Sequence, residues 1–450
     1  MKRRAIISII LTVFAMIGTY NIWHHAPVLI FISIMILSFL FSYKITDYIA
    51  DFKTVKNHSR LDIIFLLIFF ILLCIPASHI SKAEKSDVER RNLAKKAQFI
   101  KNNKINLKYG KDFDSWFNDR FALRKNLIKA NTIIAYSLSK DTCRNNKITF
   151  YKKYNFMDSG SAFGPKGQAT SEMLKAYRKN INRLQNFCDN NNIKLYILIV
   201  PRQIEFFDFQ IKNERRNKPD SAEEAIEYIQ KNTKTPLIYP KEAMKEANKE
   251  TPVYFKTDHH WTKKGAYVGY LELMKEIKKD FPDVPILEES SLEKYYDNRV
   301  SSSWNKELDN GRSYRMLGLP DSFAEKILDT PYLYYKNPNN DKLQTDAHFA
   351  PIPEKGKNEK NDNQFYYPDG LDKKVMVIGN SFAGNLVEFL PYSFKYTARY
   401  YDNDRYMYFE TYEETIKEYK PDIIIINMYT TYLKGLLNLY PNEFRQKEKK

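Results

Sequence analysis

The sequence predicts an α/β domain built on a mostly parallel sheet with helices on both faces, preceded by three N-terminal transmembrane helices. Three observations predict it. Short apolar runs, KLYILIVP (194–201), KKVMVIGNSF (373–382) and PDIIIINMYT (421–430), alternate with amphipathic stretches. Strands that read as continuous apolar runs are buried on both faces, as in a parallel sheet covered by helices. Finally, the apolar residues before residue 80 form long runs unlike anything that follows.

The N-terminal runs are AIISIILTVFAMIGTY (5–20), PVLIFISIMILSFLF (27–41) and IIFLLIFFILLCIPA (63–77). With their flanks they become helices at about 5–22, 26–42 and 61–80, near the roughly 20 residues that a bilayer requires. A signal peptide is the alternative for the first, since Lys2, Arg3 and Arg4 precede it, but two more runs follow and no small-residue cleavage site is clear. The turn NIWHHA has no Lys or Arg, whereas residues 43–60 carry Lys44, Lys53, Lys56 and Arg60. The positive-inside rule then puts the N-terminus in the cytoplasm and everything after about residue 80 outside a bacterial cytoplasmic membrane. The spans hold almost no polar residues, so they read as an anchor or as helices that dock on a membrane partner.

The formal net charge is +17, and Lys and Arg exceed Asp and Glu in the exported part as well. The excess reads as a solvated face, or as attraction to anionic lipid or an anionic wall polymer. Nucleic acid is not an expected partner outside the membrane. Three cysteines exclude a disulfide-framed scaffold. Cys74 falls in the third span; Cys143 and Cys188 are exported, and their pairing is left open.

Residues 81–110 are polar and read as a juxtamembrane linker, with the exported domain at 111–440. Apolar spacing makes 116–138 an amphipathic helix or helix pair and 173–191 a second helix, leading into the strand at 194–201 that Pro201 stops. SAEEAIEYIQKN (221–232) is a helix with Ser221 as cap and Glu224 at the capping-box position. TPLIYP (235–240) is a short strand, and TPVYFKTDHHWT (251–262) an extended segment. Thr262 caps a helix to 280. Residues 281–370 show little regular structure. A strand at 373–382, a helix from 383, a strand at 395–401, a helix at 411–420 and a strand at 421–430 complete the pattern.

Two stretches carry chemistry. In VMVIGNSF an apolar strand runs into Gly379-Asn380-Ser381 and then a helix. A serine at that turn is exposed at the sheet edge beside its own N–H, the placement a nucleophile and oxyanion donor need; the alternative is a helix cap. A serine nucleophile needs a base, normally His. The exported part offers His79, His259, His260 and His348, and two of these adjoin in TDHHWT (257–262). In an extended segment Asp258 and His260 share a face and His259 points away. A carboxylate beside an imidazole holds its tautomer, so Asp258 with His260 suits a Ser-His-Asp arrangement. A polar turn capping the next helix is one alternative; a metal site is another, but the sequence supplies no patterned third and fourth ligand.

TDHHWTKKGAYVGY together with VMVIGNSFAG resembles the DHHW and AlgJ/AlgX-like group: SGNH-hydrolase-like, flavodoxin-like, exported polysaccharide O-acetyltransferases. ERRNLA (89–94), DFDSWFNDRFALR (112–124), LIVPRQIEFF and RMLGLP (315–320) resemble further family segments in order. The resemblance implies Ser381 as nucleophile, His260 as base and Asp258 as orienting acid, with no cofactor and no metal. It implies a multi-span membrane O-acyltransferase as acetyl donor and a polysaccharide as acceptor. Asn427 is the candidate second oxyanion donor; Trp261 and Arg202 are substrate candidates, with packing favoured for Trp261. The chain departs from the family in Asn380, in Arg202-Gln203 and in Asn427-Met428-Tyr429. Rival expectations are an exported esterase with the same triad and a non-catalytic glycan-binding subunit.

Overall fold

The computed structural model describes residues 68–69, 79–86, 91–101, 103–138, 142–145, 148–151, 156–158, 169–206, 221–256, 259–297, 331–345, 347–351, 363–402 and 409–440. The three expected spans lie almost wholly outside them. Among the described residues no helix is long and apolar enough to cross a membrane. The chain divides into two compact units, Met1–Leu138 with Arg315–Pro320, and Ser139–Tyr314 with Asp321–Lys450.

In the first unit the expected helix pair is two helices, α1 (Tyr109–Arg120) and α2 (Arg124–Leu138). They part where Phe121 turns extended, at ψ 155°, and Leu123 takes φ 59°. The linker expected at 81–110 has structure of its own: antiparallel ladders pair Lys85–Ser86 with Arg91–Asn92 and Ile100–Lys101 with Lys104–Ile105. Polar grips hold it to α1. Asp119 Oδ2 accepts from Ala94 N at 2.7 Å, Arg120 donates to Ala94 O, and Leu93 and Trp116 are buried.

The second unit holds the sheet. Its elements are α3 (Ser171–Asn190), β1 (Lys194–Val200), α4 (Ser221–Asn232), β2 (Leu237–Ile238), α5 (Lys241–Glu250), α6 (Lys263–Asp280), β3 (Glu293–Asp297), β4 (Tyr332–Lys336), β5 (Asn363–Tyr366), β6 (Leu371–Gly379), α7 (Ser381–Leu386), β7 (Phe394–Tyr401), α8 (Glu413–Tyr419) and β8 (Ile423–Tyr429). The strand order is β5-β7-β6-β8-β1-β2. Five strands are parallel, and β5 pairs antiparallel with β7 at the edge. The expected α/β architecture with a mixed, mostly parallel sheet is present.

Each apolar strand feeds two cores. Ile424 and Ile426 of β8 join residues of α3, α4 and α8 on one face. Ile423 and Ile425 join residues of α5, α6 and α7 on the other. This double burial explains why β8 reads IIII without alternation. Cys188 is buried in the first core as a free thiol, so it is not paired with Cys143.

Three expectations change. Residues 281–370 are not wholly irregular: β3 and β4 form an antiparallel ladder from Glu293↔Lys336 to Asp297↔Tyr332, and β5 joins the main sheet. Their tyrosine-rich sequences, EKYYD and YLYYK, lack the clean alternation that marks a strand. The helix expected after Ser381 stops at Leu386, and Leu390–Ser393 form a separate 3₁₀ turn. TPVYFKTDHHWT is not extended throughout. It folds back on itself, with Tyr254 bridged antiparallel to Trp261.

Candidate active site

The site lies at the carboxyl end of the sheet, where open α/β folds hold their ligands. β6 ends at Gly379, and Ser381 is the first residue of α7. The turn between them is tight. A Cβ on Gly379 would meet Asn427 O at 2.5 Å and Ala383 Cβ at 2.9 Å, so only glycine lets β8 and α7 approach so closely. Asn380 caps α7, its side chain accepting from Phe382 N at 3.1 Å. As the first helical residue, Ser381 has an N–H with no intrahelical acceptor.

His260 comes to this serine from the folded-back segment. Phe255 N donates to His260 O at 3.1 Å, and Thr262 N to Val253 O at 2.9 Å. Thr262 then caps α6 as expected, accepting from Gly265 N at 3.2 Å. His260 Nε2 lies 2.7 Å from Ser381 Oγ, across 121 residues of sequence. Both side chains are half-buried. With the ring proton on Nδ1, Nε2 accepts the serine proton.

Two further links clamp the histidine segment to the serine helix. Trp261 Nε1 donates to Phe382 O at 3.2 Å, and Asn385 Nδ2 donates back to Trp261 O at 3.1 Å. Asn385 Oδ1 also accepts from Lys263 Nζ at 3.0 Å, and Lys263 pairs with Glu388. Trp261 is fully buried, so it packs and does not stack on a ligand. Its indole fills the space beside Gly269, where a Cβ would come within 2.6 Å of the ring.

An extended segment would put Asp258 and His260 on one face. Residues 259–260 instead lie in a bend. Asp258 lies outside the described residues. His259 does not point away from the site. Its ring sits 4.1 Å from the His260 ring and about 5.8 Å from Tyr429, which stacks on Phe382 at 4.3 Å.

Asn427 and Arg202 are both placed in the floor. Asn427 is fully buried, and its amide donates to Leu198 O at 3.4 Å within the sheet. Arg202 is fully buried too, its N–H donating to Glu205 Oε2 at 2.7 Å. Neither residue is exposed. Glu205 Oε2 also accepts from Tyr239 OH at 2.7 Å and Thr430 Oγ1 at 3.5 Å, tying together the segments that follow β1, β2 and β8. Burial, and then the Glu205 charge, push the Tyr239 hydroxyl far above its ordinary pKa, so it stays a donor.

Asn385, Lys263 and Glu205 were missed by sequence reasoning. Asn385 carried a signal, since four residues after Ser381 on a helix is the same face. Glu205 carried none: an acid in a loop after a strand reads as solvated.

Residues 164–304 match the family model of the SGNH hydrolase-like domain of the acetyltransferase AlgX. The resemblance read from the sequence is thus found again, on the stretch that includes β1, Asp258 and His260; Ser381 lies beyond it. Among solved structures the chain is similar to a DHHW family protein from Eubacterium siraeum at 15% identity, over 67% of this chain and 97% of that one, with a TM-score of 0.45. It is similar to PatB1 from Bacillus cereus at 17% identity, over 67% and 100%, with a TM-score of 0.46. The O-acetyltransferase domain of Pseudomonas putida AlgJ is similar at 14% identity, over 66% and 91%, with a TM-score of 0.39. No curated protein matches.

Proposed function

We propose that this chain is an exported, membrane-anchored O-acetyltransferase that moves acetyl groups through an acyl-serine onto hydroxyls of a cell-surface or secreted polysaccharide. The observation that carries the reading is the 2.7 Å approach of His260 Nε2 to Ser381 Oγ. A hydroxyl is a weak nucleophile until a base removes its proton. The match to the SGNH hydrolase-like acetyltransferase model supports the choice of acyl transfer.

The chemistry runs in two balanced steps. Ser381 Oγ attacks the carbonyl carbon of the donor as its proton passes to His260 Nε2. The tetrahedral oxyanion is met by the Ser381 N–H. The carbon–oxygen bond to the donor breaks, the leaving group takes the proton from His260, and acetyl-Ser381 remains. A sugar hydroxyl then gives its proton to His260 and attacks the acyl carbon. The serine bond breaks and Ser381 recovers the proton. Asp258 holds the imidazole tautomer and balances the imidazolium. The N-terminal spans place the site outside the cytoplasmic membrane, and a multi-span acyltransferase delivers the acetyl group there.

Hydrolysis is the second reading. Ser381 and His260 are only half-buried, so water has access to the same acyl-serine. The test uses the full chain in detergent, treated with p-nitrophenyl acetate and read by intact mass. An acetyl adduct on the wild type, absent in Ser381→Ala and slowed by about 10²–10⁴-fold in His260→Ala, is the expected result. Adding glycan separates the readings: acetylated glycan supports transfer, and accelerated release of acetate alone supports hydrolysis. A wild type with neither adduct nor ester turnover overturns both.

A further inference from the structure

The two units treat their large apolar side chains differently. In the second unit the large apolar side chains left exposed among the described residues are Tyr295 and Tyr296, and each carries a polar hydroxyl. Every exposed Ile, Leu and Phe among the described residues belongs to the first unit. Three of them gather in one short stretch, where Ile100 is 63% exposed, Ile105 65% and Leu107 96%. Apolar side chains clustered in solvent mark a contact surface.

The stretch is a fixed hairpin. Ile100 pairs directly with Ile105 and Lys101 with Lys104 across the antiparallel ladder, and Asn103 takes the left-handed φ of 57° that a tight hairpin turn requires. Residues directly opposite share a face, so the two isoleucines project together and the two lysines project from the other side. Asn106 N donates to Phe99 O at 2.8 Å, and Asn106 Nδ2 donates to Gln98 O and Asp112 Oδ2, each at 3.0 Å. The Phe99 ring meets Tyr109 edge-on at 5.4 Å. These contacts fix the hairpin to the start of α1 and leave its isoleucines uncovered.

Charge and chain path together point to what covers it. Residues 90–111 contain Arg90, Arg91 and six lysines and no acid. Lys101, Lys104 and Lys108 stand exposed beside the apolar side chains. Apolar tips flanked by lysines suit the boundary of an anionic bilayer, where the apolar groups enter the acyl edge and the lysine stems carry their charges to the headgroup phosphates. The last apolar run ends at Ala77, and four residues on Ser81 N donates to Arg120 O at 2.9 Å, at the far end of α1 from the hairpin. A helix of that length spans about 18 Å. The exposed Leu123 and Leu127 stand just past its Arg120 end. An α1 laid along a bilayer surface brings both of its ends to the lipid.

We propose that the hairpin tip, through Ile100, Ile105 and Leu107 with Lys101, Lys104 and Lys108, docks on the outer surface of an anionic phospholipid bilayer, its apolar side chains reaching about 5–10 Å into the headgroup boundary. This contact is separate from the apolar anchor and from the acyl-transfer chemistry, but the choice of a bilayer as occupant rests on the anchor reading. An anchor alone leaves the exported part free to swing about its tether. A second contact at the other end of α1 removes that freedom and holds the first unit in one orientation on the surface.

The test uses the full chain with Cys74→Ser and Cys143→Ser, keeping the fully buried Cys188. A nitroxide is attached at Leu107→Cys or, as the control, at Lys275→Cys on α6. Each chain is reconstituted into nanodiscs of phosphatidylglycerol and phosphatidylcholine. Electron paramagnetic resonance then reads collisions of the nitroxide with oxygen, which concentrates in lipid, and with a nickel chelate, which stays in water. Oxygen collisions are expected to dominate at position 107 and nickel collisions at position 275. Discs of phosphatidylcholine alone, or Lys101→Glu with Lys104→Glu and Lys108→Glu, are expected to shift position 107 toward nickel. Nickel dominance at position 107 in the anionic discs overturns the proposal. Collisions suppressed with both reagents overturn it as well, because the tip then lies against protein, whether the second unit, a second copy or another chain. Oxygen dominance that persists in neutral discs and in the triple variant overturns the anionic character of the surface. A chain that does not enter the discs overturns the anchor reading. Phosphatidylglycerol vesicles added to that chain then decide the hairpin separately: a label that turns oxygen-accessible supports the docking, and one that stays nickel-accessible overturns it.

Discussion

At the scale of single residues, the site depends on how firmly His260 is held against Ser381. Asn385 is central to that hold. It is almost fully buried, donates to Trp261 O and accepts from Lys263. Asn385→Ala leaves a buried carbonyl without its donor, which costs about 1–3 kcal/mol. Asn385→Asp separates the two contacts, keeping the acceptor for Lys263 but losing the donor to Trp261. Both variants are expected to lower kcat for a small activated ester and to leave KM nearly unchanged, since no ester-binding group is removed. A rise in KM alone, with kcat intact, would mean that Asn385 has no part in placing the histidine. Gly269 gives a steric counterpart. A methyl at 2.6 Å from the Trp261 ring has to displace it, so Gly269→Ala is expected to destabilise the fold by about 1–3 kcal/mol, measured by urea unfolding.

At the scale of elements, the β3–β4 ladder is joined to α6 through one carboxylate. Glu289 accepts from Lys264 at 2.8 and 2.9 Å and from Tyr335 OH at 2.6 Å, and Lys294 lies 3.0 Å away. Burial alone raises the pKa of Glu289, but the hydrogen bonds from Lys264, Tyr335 and Lys294 outweigh it and hold the carboxyl at about 2, below its ordinary 4.5. The stability this contributes is present above about pH 4.5 and is lost as pH falls toward about 2. Wild type is therefore expected to exceed Glu289→Gln in unfolding free energy at pH 6, with the gap closing between about pH 4.5 and 2. A gap independent of pH would show that Glu289 acts by packing and not by charge. This ladder was also the element least legible in the sequence. Its strands are separated by more than thirty residues, and KYYD and YLYYK carry no alternation that marks an edge. The strands β1, β6 and β8 were legible because burial on both faces left them apolar throughout.

At the scale of the whole chain, the proposed anchor rests on the long apolar runs before residue 80, and its proposed orientation on the loop charges. In a bacterial host the full chain is expected to stay in the membrane pellet after alkaline carbonate extraction. Protease added from the outer side is expected to degrade everything beyond about residue 80. A chain released by carbonate, or one protected from outside protease, would overturn the exported, anchored topology. In the proposed exported topology the basic domain faces anionic lipid and wall polymers.

The sequence by itself determined the strands β1, β2, β6, β7 and β8, the helices that cover them and the turn ahead of Ser381, and it narrowed the candidate bases to the adjacent pair His259 and His260. Each follows from local rules: apolar period, caps, and the need of a serine for a base. Only the tertiary structure decided which segments meet and which side chains are buried. It folded TPVYFKTDHHWT back on itself, so that His260 reaches Ser381 from a bend and not from an extended strand. It sank Asn427 and Arg202 into the floor, buried Trp261 as a hydrogen-bonded clamp and recruited Asn385 to close it. A residue's type records what it can do. Which neighbours it has, and whether solvent reaches it, is set by packing between segments that the sequence places far apart.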